Sequence, residues 1–308
     1  SVDTLTESVD TLTESVDTLV ACTPAAAIGA LKLEQHLVEA SSPSWENDVL
    51  PGGASTWTYL SHPTNPTKLI AVGSVHCGLY HGTFNENMCF VNLPKDVLDL
   101  GVERIGFLDP KQLANPISPK QDVMVVELRK SKKSDPRYVY QPFDPNTKIR
   151  HVVGLSQSGI VTAGGNGHLQ ENHGALVFVQ DAGEPGNSGT LMFGWMTDIK
   201  DAKPIGVYFG TFDPSSSSNL RTRGQIGPLH PYGAFEWFSP LSSNSMPSTL
   251  GVVDQNGIHN CRLTGIPGWC ELEDGNEKWF GVLLDVQHMD GGRINYVGSF
   301  DSGSARCN

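Results

Sequence analysis

Cysteine, charge and long apolar runs are all scarce in this sequence, and each scarcity excludes something. Six cysteines (Cys22, Cys77, Cys89, Cys261, Cys270 and Cys307) among 308 residues are too sparse for a small disulfide-stapled scaffold. They leave the redox compartment open, although Cys261 and Cys270 stand close enough in sequence to pair across a loop. Charged residues make up only 18%, and the acidic ones outnumber the basic by 33 to 21, for a net charge of −12. General nucleic-acid binding needs a basic face, which this balance does not supply. The one basic cluster, Arg129-Lys-Ser-Lys-Lys133, reads as a solvated loop. No apolar run approaches the ~20 residues of a membrane-spanning helix. Neither nucleic acid nor membrane is therefore expected as a partner. Metal-ligand spacings are also missing: His76, Cys77 and His81 match no standard zinc set, and no metal or cofactor is expected.

Glycine (33) and proline (20) are plentiful, and they punctuate short runs rich in β-branched residues. This pattern predicts an all-β protein. Strands are expected near Thr56–Leu60, Lys68–Val75, Cys89–Leu93, Glu103–Leu108 and Asp122–Leu128. A second set is expected near Arg150–Leu155, Gly159–Ala163, Ala175–Gln180, Thr190–Gly194, Pro204–Gly210 and Thr222–Leu229. Residues 1–20 repeat Ser-Val-Asp-Thr-Leu-Thr-Glu, placing Val2, Val9 and Val16 at one apolar position and Leu5, Leu12 and Leu19 at another. That is an a/d heptad pattern, a route to self-association. It spans fewer than three heptads and its Ser, Thr, Asp and Val content is poor for a helix, so a duplicated, mostly flexible tail is the expectation. A helix is expected over residues 23–40, with Thr23 as N-cap and Pro24 in the first turn.

Chemistry concentrates in three places. Gly183-Glu-Pro-Gly-Asn-Ser-Gly-Thr190 sets Ser188 in a glycine-rich turn just after the apolar run Ala175–Val179. A serine hydroxyl becomes a useful nucleophile only when a base takes its proton and N–H groups receive the developing charge. The run Leu69–Val75 delivers His76 at its end, and Asp122 stands at the start of Val123–Leu128. A base, its orienter and a glycine-cradled serine in the order His…Asp…Ser suggest a catalytic triad.

On these residues the chain resembles the chymotrypsin-like serine peptidases, in the Gly-Asn-Ser-Gly form of bacterial and viral-type members. Val72-Gly-Ser-Val-His-Cys77 resembles their histidine motif, Asp122–Leu128 their aspartate strand and Gly186-Asn-Ser-Gly189 their nucleophile loop. The resemblance covers roughly residues 50 to 240. It implies two six-stranded antiparallel β-barrels, with Ser188 as nucleophile, His76 as base and Asp122 as orienter. It implies an oxyanion hole from the N–H groups of Gly186 and Ser188. Asn187 stands where zymogen-type members carry an Asp that pairs with a new N-terminal amine, so activation by that route is not expected. Ala182 takes the position of the pocket-floor Asp of trypsin, with Asp181 beside it. Val207, Tyr208, Phe209 and Gly210 would form the substrate-binding wall, which suits an uncharged residue before the cut. Many secreted relatives pair the cysteine after the histidine with one just upstream. None fits here except Cys22, so Cys77 is expected to be a free core thiol.

The expected layout is a heptad tail (1–20), a helical lead-in (21–45), a first barrel carrying His76 and Asp122 (46–145), a second carrying Ser188 (146–245) and a small β extension (246–308). The extension has strand-like runs at Gly251–Val253, Cys261–Leu263, Phe280–Val286 and Ile294–Val297. It could be an accessory module or strands added to the second barrel. The functional expectation is a serine endopeptidase acting on a polypeptide substrate. The alternatives are a catalytically silent binding module on the same fold, or an interaction protein oligomerising through residues 1–20.

Overall fold

In the computed structural model the described residues are 41–43, 55–82, 88–113, 117–130, 138–156, 159–162, 170–172, 174–180, 186–212, 222–242, 247–254, 257–264, 270–274 and 277–286. The heptad tail, the helix expected over 23–40, Ala182 and Ile294–Val297 lie outside them. The fold is mostly β, with a sheet curled into a half-barrel.

Three antiparallel assemblies carry the chain. The first sheet contains β1 (Ser41–Pro43), β2 (Thr56–Ser61), β3 (Leu69–Gly73), β6 (Val102–Leu108), β7 (Met124–Leu128) and β15 (Phe235–Phe238), in the order β1-β2-β3-β7-β6-β15. The second contains β8 (His151–Ser156), β9 (Gly159–Thr162), β10 (Gln170–Asn172), β11 (Ala175–Gln180), β12 (Leu191–Trp195), β13 (Lys203–Phe212) and β14 (Thr222–Pro228), in the order β10-β11-β14-β13-β12-β8-β9. The third is a closed ring. It joins β4 (Leu79–Gly82) and β5 (Met88–Asn92) to β16 (Thr249–Asp254), β17 (Gly257–Thr264), β18 (Cys270–Asp274) and β19 (Glu277–Asp285). Two short helices, α1 (Val75–Gly78) and α2 (Lys95–Asp99), follow β3 and β5.

The first sheet is the middle layer, and the period-2 alternation of its strands shows it. Leu69, Ala71, Met124 and Val126 face a core that also holds Leu79, Cys89, Val91, Val282 and Leu284 of the ring. Their neighbours Ile70, Val72, Val123 and Val125 face a core shared with Val153, Leu191, Phe193 and Val207 of the seven-stranded sheet. A strand covered on both faces needs apolar residues at nearly every position, which is why β3 and the Met124–Val126 stretch of β7 read as hydrophobic runs, broken in β7 only by Glu127. A further core lies against the seven-stranded sheet, around Leu176, Phe178, Met192, Ile205, Tyr208 and Ile226.

The pairings do not draw the two successive six-stranded barrels of the sequence expectation. β4 and β5 carry backbone groups that an open edge would leave unpaired, and the C-terminal strands supply the partners. β19 pairs with β5 from Gly281↔Asn92 to Asp285↔Met88, and β16 pairs with β4 at Val252↔Gly82 and Val253↔His81. The extension is thus joined to the half of the fold that carries His76, not to the second sheet. β15 also crosses back, pairing with β6 from Phe235↔Leu108 to Phe238↔Ile105.

One cysteine expectation is corrected and one open possibility is closed. Cys77 is disulfide-bonded rather than a free thiol. Cys261 is a buried thiol outside any disulfide, so it does not pair with Cys270, and Cys89 is likewise buried and outside any disulfide. Burial pushes the Cys89 thiol well above its ordinary range, leaving it a small core hydrophobe.

Candidate active site

The three chemistry-bearing residues arrive on three separate connections and meet. β3 ends at Gly73, and α1 turns the chain so that His76 faces back across the sheet. Asp122 closes a single 3₁₀ turn, Pro119–Gln121, immediately before the neighbouring strand β7. Ser188 comes from the second sheet, in the turn leading into β12. All three are buried: His76 is 2% exposed, Asp122 0% and Ser188 5%.

His76 is the bridge. Its Nδ1 lies 2.7 Å from Asp122 Oδ2, and its Nε2 lies 3.1 Å from Ser188 Oγ. Asp122 grips the same residue a second time, because Oδ1 accepts from the backbone N–H of His76 at 2.7 Å. A carboxylate facing Nδ1 favours the proton on that nitrogen and leaves the Nε2 lone pair toward the serine hydroxyl. The Phe209 ring meets the imidazole edge-on, with centroids 5.2 Å apart. It is brought there by a bulge between Tyr208 and Gly210, where the β13–β14 register shifts.

The turn around Ser188 is tightly held. Gly186 has φ 95° and Gly189 φ 86°, both in the region that favours glycine. At Gly189 a Cβ would also sit 2.5 Å from the Thr56 carbonyl oxygen, so a side chain there is excluded twice over. Thr56 on β2 donates from its hydroxyl to the Gly186 carbonyl at 2.8 Å and from its N–H to the Ser188 carbonyl at 2.9 Å. Asn187 is 6% exposed, and its Oδ1 accepts from the Ser156 hydroxyl at 2.9 Å. Among the described residues the N–H groups of Gly186 and Ser188 make no hydrogen bond.

Not every expected site residue joins this cluster. Val207 and Tyr208 are 0% and 1% exposed, with side chains in the two cores that flank the second sheet. What they offer to the site is backbone: the Tyr208 carbonyl accepts from the Gly189 N–H at 2.9 Å, and its N–H donates to the Thr190 carbonyl at 2.8 Å. Gly210 is buried on the same strand. Sequence reasoning missed Ser74, whose fully buried hydroxyl lies 2.7 Å from His76 Nδ1. With the Nδ1 proton directed to Asp122, Ser74 Oγ becomes a second oxygen flanking that proton. Its position two residues before His76, on extended backbone, was the available signal.

A second buried polar cluster surrounds Glu127 at the other end of β7. Its carboxylate accepts from Arg104 Nε at 2.8 Å and Nη2 at 2.7 Å, from Lys68 Nζ at 2.7 Å and from the Tyr232 hydroxyl at 2.8 Å. Burial pushes the Glu127 carboxyl up, but these bonds outweigh it and bring it from 4.5 down to about 2. A separate cleft of about 560 Å³ is lined by residues that include Phe143, Lys148, Ile149, Arg150, Leu176 and Leu229, and none of His76, Asp122 or Ser188 borders it.

Among the described residues no group of three His, Cys, Asp or Glu is placed to hold a metal ion. His76 is engaged with Asp122 and Ser188, and the Cys77 sulfur is tied up in its disulfide. Among the described residues no helix is long and apolar enough to cross a membrane. Compared with models of protein families, with characterised proteins and with solved structures, the chain matches none.

Proposed function

We propose that this protein is a serine endopeptidase, with Ser188 as nucleophile, His76 as general base and acid, and Asp122 as orienter. The observation that carries this reading is the single imidazole that reaches a buried carboxylate with one nitrogen and a serine hydroxyl with the other, at 2.7 and 3.1 Å. Two unrelated hydrogen bonds of this kind are common in proteins. One histidine linking both, across two sheets, beside a glycine turn with two N–H groups that have no partner among the described residues, is the arrangement acyl transfer requires.

The steps follow from the geometry. Ser188 Oγ attacks the scissile carbonyl carbon while His76 Nε2 takes its proton. Asp122 keeps the ring in register and stabilises the imidazolium. The oxygen that gains charge is received by the N–H groups of Gly186 and Ser188, where losing one donor costs ~10²–10³ in rate. His76 then gives the proton to the leaving amine, and water repeats the sequence on the acyl-enzyme. On this reading the middle sheet with the ring, and the seven-stranded sheet, stand for the two barrels of the chymotrypsin type. The substrate is a polypeptide lying where they meet.

The test is labelling with a fluorophosphonate probe. The folded parent is expected to form an adduct that disappears in Ser188→Ala and slows strongly in His76→Ala. A folded parent without a Ser188-dependent adduct would overturn the proposal and favour a binding module on the same scaffold.

A further inference from the structure

Ser188 carries two groups that the proposed chemistry uses, its hydroxyl and its N–H. The hydroxyl is placed by His76. The N–H is placed by the peptide unit it belongs to, and that unit includes the carbonyl of Asn187. In a planar trans peptide the C=O and the N–H point in opposite directions, so whatever holds the Asn187 oxygen also aims the Ser188 N–H.

Thr190 holds that oxygen. Its hydroxyl donates to the Asn187 carbonyl at 2.6 Å and its backbone N–H donates to the same oxygen at 3.1 Å. Thr190 is itself fully buried and fixed from both sides. Its carbonyl accepts from Tyr208 N–H at 2.8 Å, and its methyl fills the space over Gly154, where a Cβ would lie 2.7 Å from it. With the methyl seated there, the hydroxyl is confined to the rotamer that meets Asn187. The adjoining carbonyls of Gly186 and Ser188 are held by Thr56. In three successive peptide units every oxygen is engaged, and the Ser188 N–H is left without a partner among the described residues.

We infer that Thr190 is a positioning residue for the oxyanion hole: its hydroxyl aims the Ser188 N–H at the oxygen that becomes charged, and this inference rests on the peptidase reading above. It touches neither substrate nor imidazole. Its removal should therefore lower the rate without moving the pH profile of the reaction.

The experiment compares second-order fluorophosphonate labelling from pH 6 to 9 in the parent, Thr190→Val and Thr190→Ser, with folding checked by circular dichroism. Thr190→Val keeps the volume and removes the hydroxyl. It is expected to lower the plateau rate about 10-fold, while the midpoint of the acid limb stays at the parent value. Thr190→Ser keeps the hydroxyl and is expected to recover most of the loss, which a purely space-filling role would not predict. If Thr190→Val does not fold, Thr190→Ala takes its place in the same comparison. Parent-like labelling of Thr190→Val, a shifted limb, or Thr190→Ser as slow as Thr190→Val would each overturn the inference. A folded parent with no Ser188-dependent adduct sinks the peptidase reading and this inference together, whereas a reactive parent with an equally reactive Thr190→Val sinks this one alone.

Discussion

Asp122 lies just before β7 and Glu127 near that strand's far end, and both side chains are wholly removed from water. Glu127 is surrounded: a bidentate arginine, a lysine and a tyrosine hydroxyl use up its lone pairs, with His62 Nε2 a further 3.5 Å away. Asp122 has the backbone N–H and the imidazole of a single residue, and that imidazole continues to a serine. The difference lies in what the partner still has to give. A carboxylate closed in by permanent cations ends its network and serves stability. A carboxylate whose partner keeps a free lone pair passes its influence on, and on the proposed function it serves reaction. Burial and charge alone would not have separated the two.

Four substitutions or conditions test that contrast, the largest effect first. Asp122→Asn preserves shape but leaves Nδ1 facing an amide, and fluorophosphonate labelling is expected to fall about 10⁴-fold. Labelling within tenfold of the parent would mean that Asp122 is as structural as Glu127. Glu127→Gln should do the reverse: urea unfolding is expected to show a loss of about 1–3 kcal/mol, since Arg104 and Lys68 lose their shared partner. Its labelling rate should stay within about twofold, because it touches none of the reacting groups.

The pH dependence of stability sharpens the same point. Glu127 titrates lower in the folded chain than in the unfolded one, so its contribution is complete above about 4.5 and is lost as pH falls toward about 2. Urea midpoints measured across that window should drop more steeply in the parent than in Glu127→Gln. Parallel curves would show that another carboxyl governs the acid limb. The smallest effect is expected for Arg104→Lys. The guanidinium bonds Glu127 with two nitrogens and lies 4.3 Å above the Trp237 ring, geometry that an ammonium cannot reproduce. Arg104 is 40% exposed, so a loss of only about 0.5–1 kcal/mol is expected from thermal or urea unfolding.

The strands were legible where burial on both faces forces nearly continuous apolar sequence, as in β3 and β7. They were also legible in the second sheet, where glycine and proline mark the turns, except for β10, whose Gln170-Glu-Asn172 carries no apolar pattern. The partners of those strands were not. β15 and β16–β19 could have packed anywhere that offered an open edge, because edge pairing depends on backbone groups that every sequence shares. His76, Asp122 and Ser188 stood out because each follows or precedes such a run. Thr56 and Thr190 did not, since a lone hydroxyl carries no mark of what it will meet, and Ser74 was marked only by its place two residues before His76. Val207 and Tyr208 show the complementary failure. Their place on the strand was readable, but which face each side chain takes depends on register and on the cores that form around it.

By itself, then, the sequence determined which chemical groups are present, their order along the chain and the β character of the segments that carry them. These follow from local pattern, from residue type and from the turn-making residues between the runs. Only the tertiary structure decided that a carboxylate on one connection and a serine from another sheet would reach the two nitrogens of one imidazole. It alone joined the C-terminal strands to the half that holds His76. Such meetings are set by packing distances of a few ångströms between residues far apart in sequence, and no local pattern encodes them.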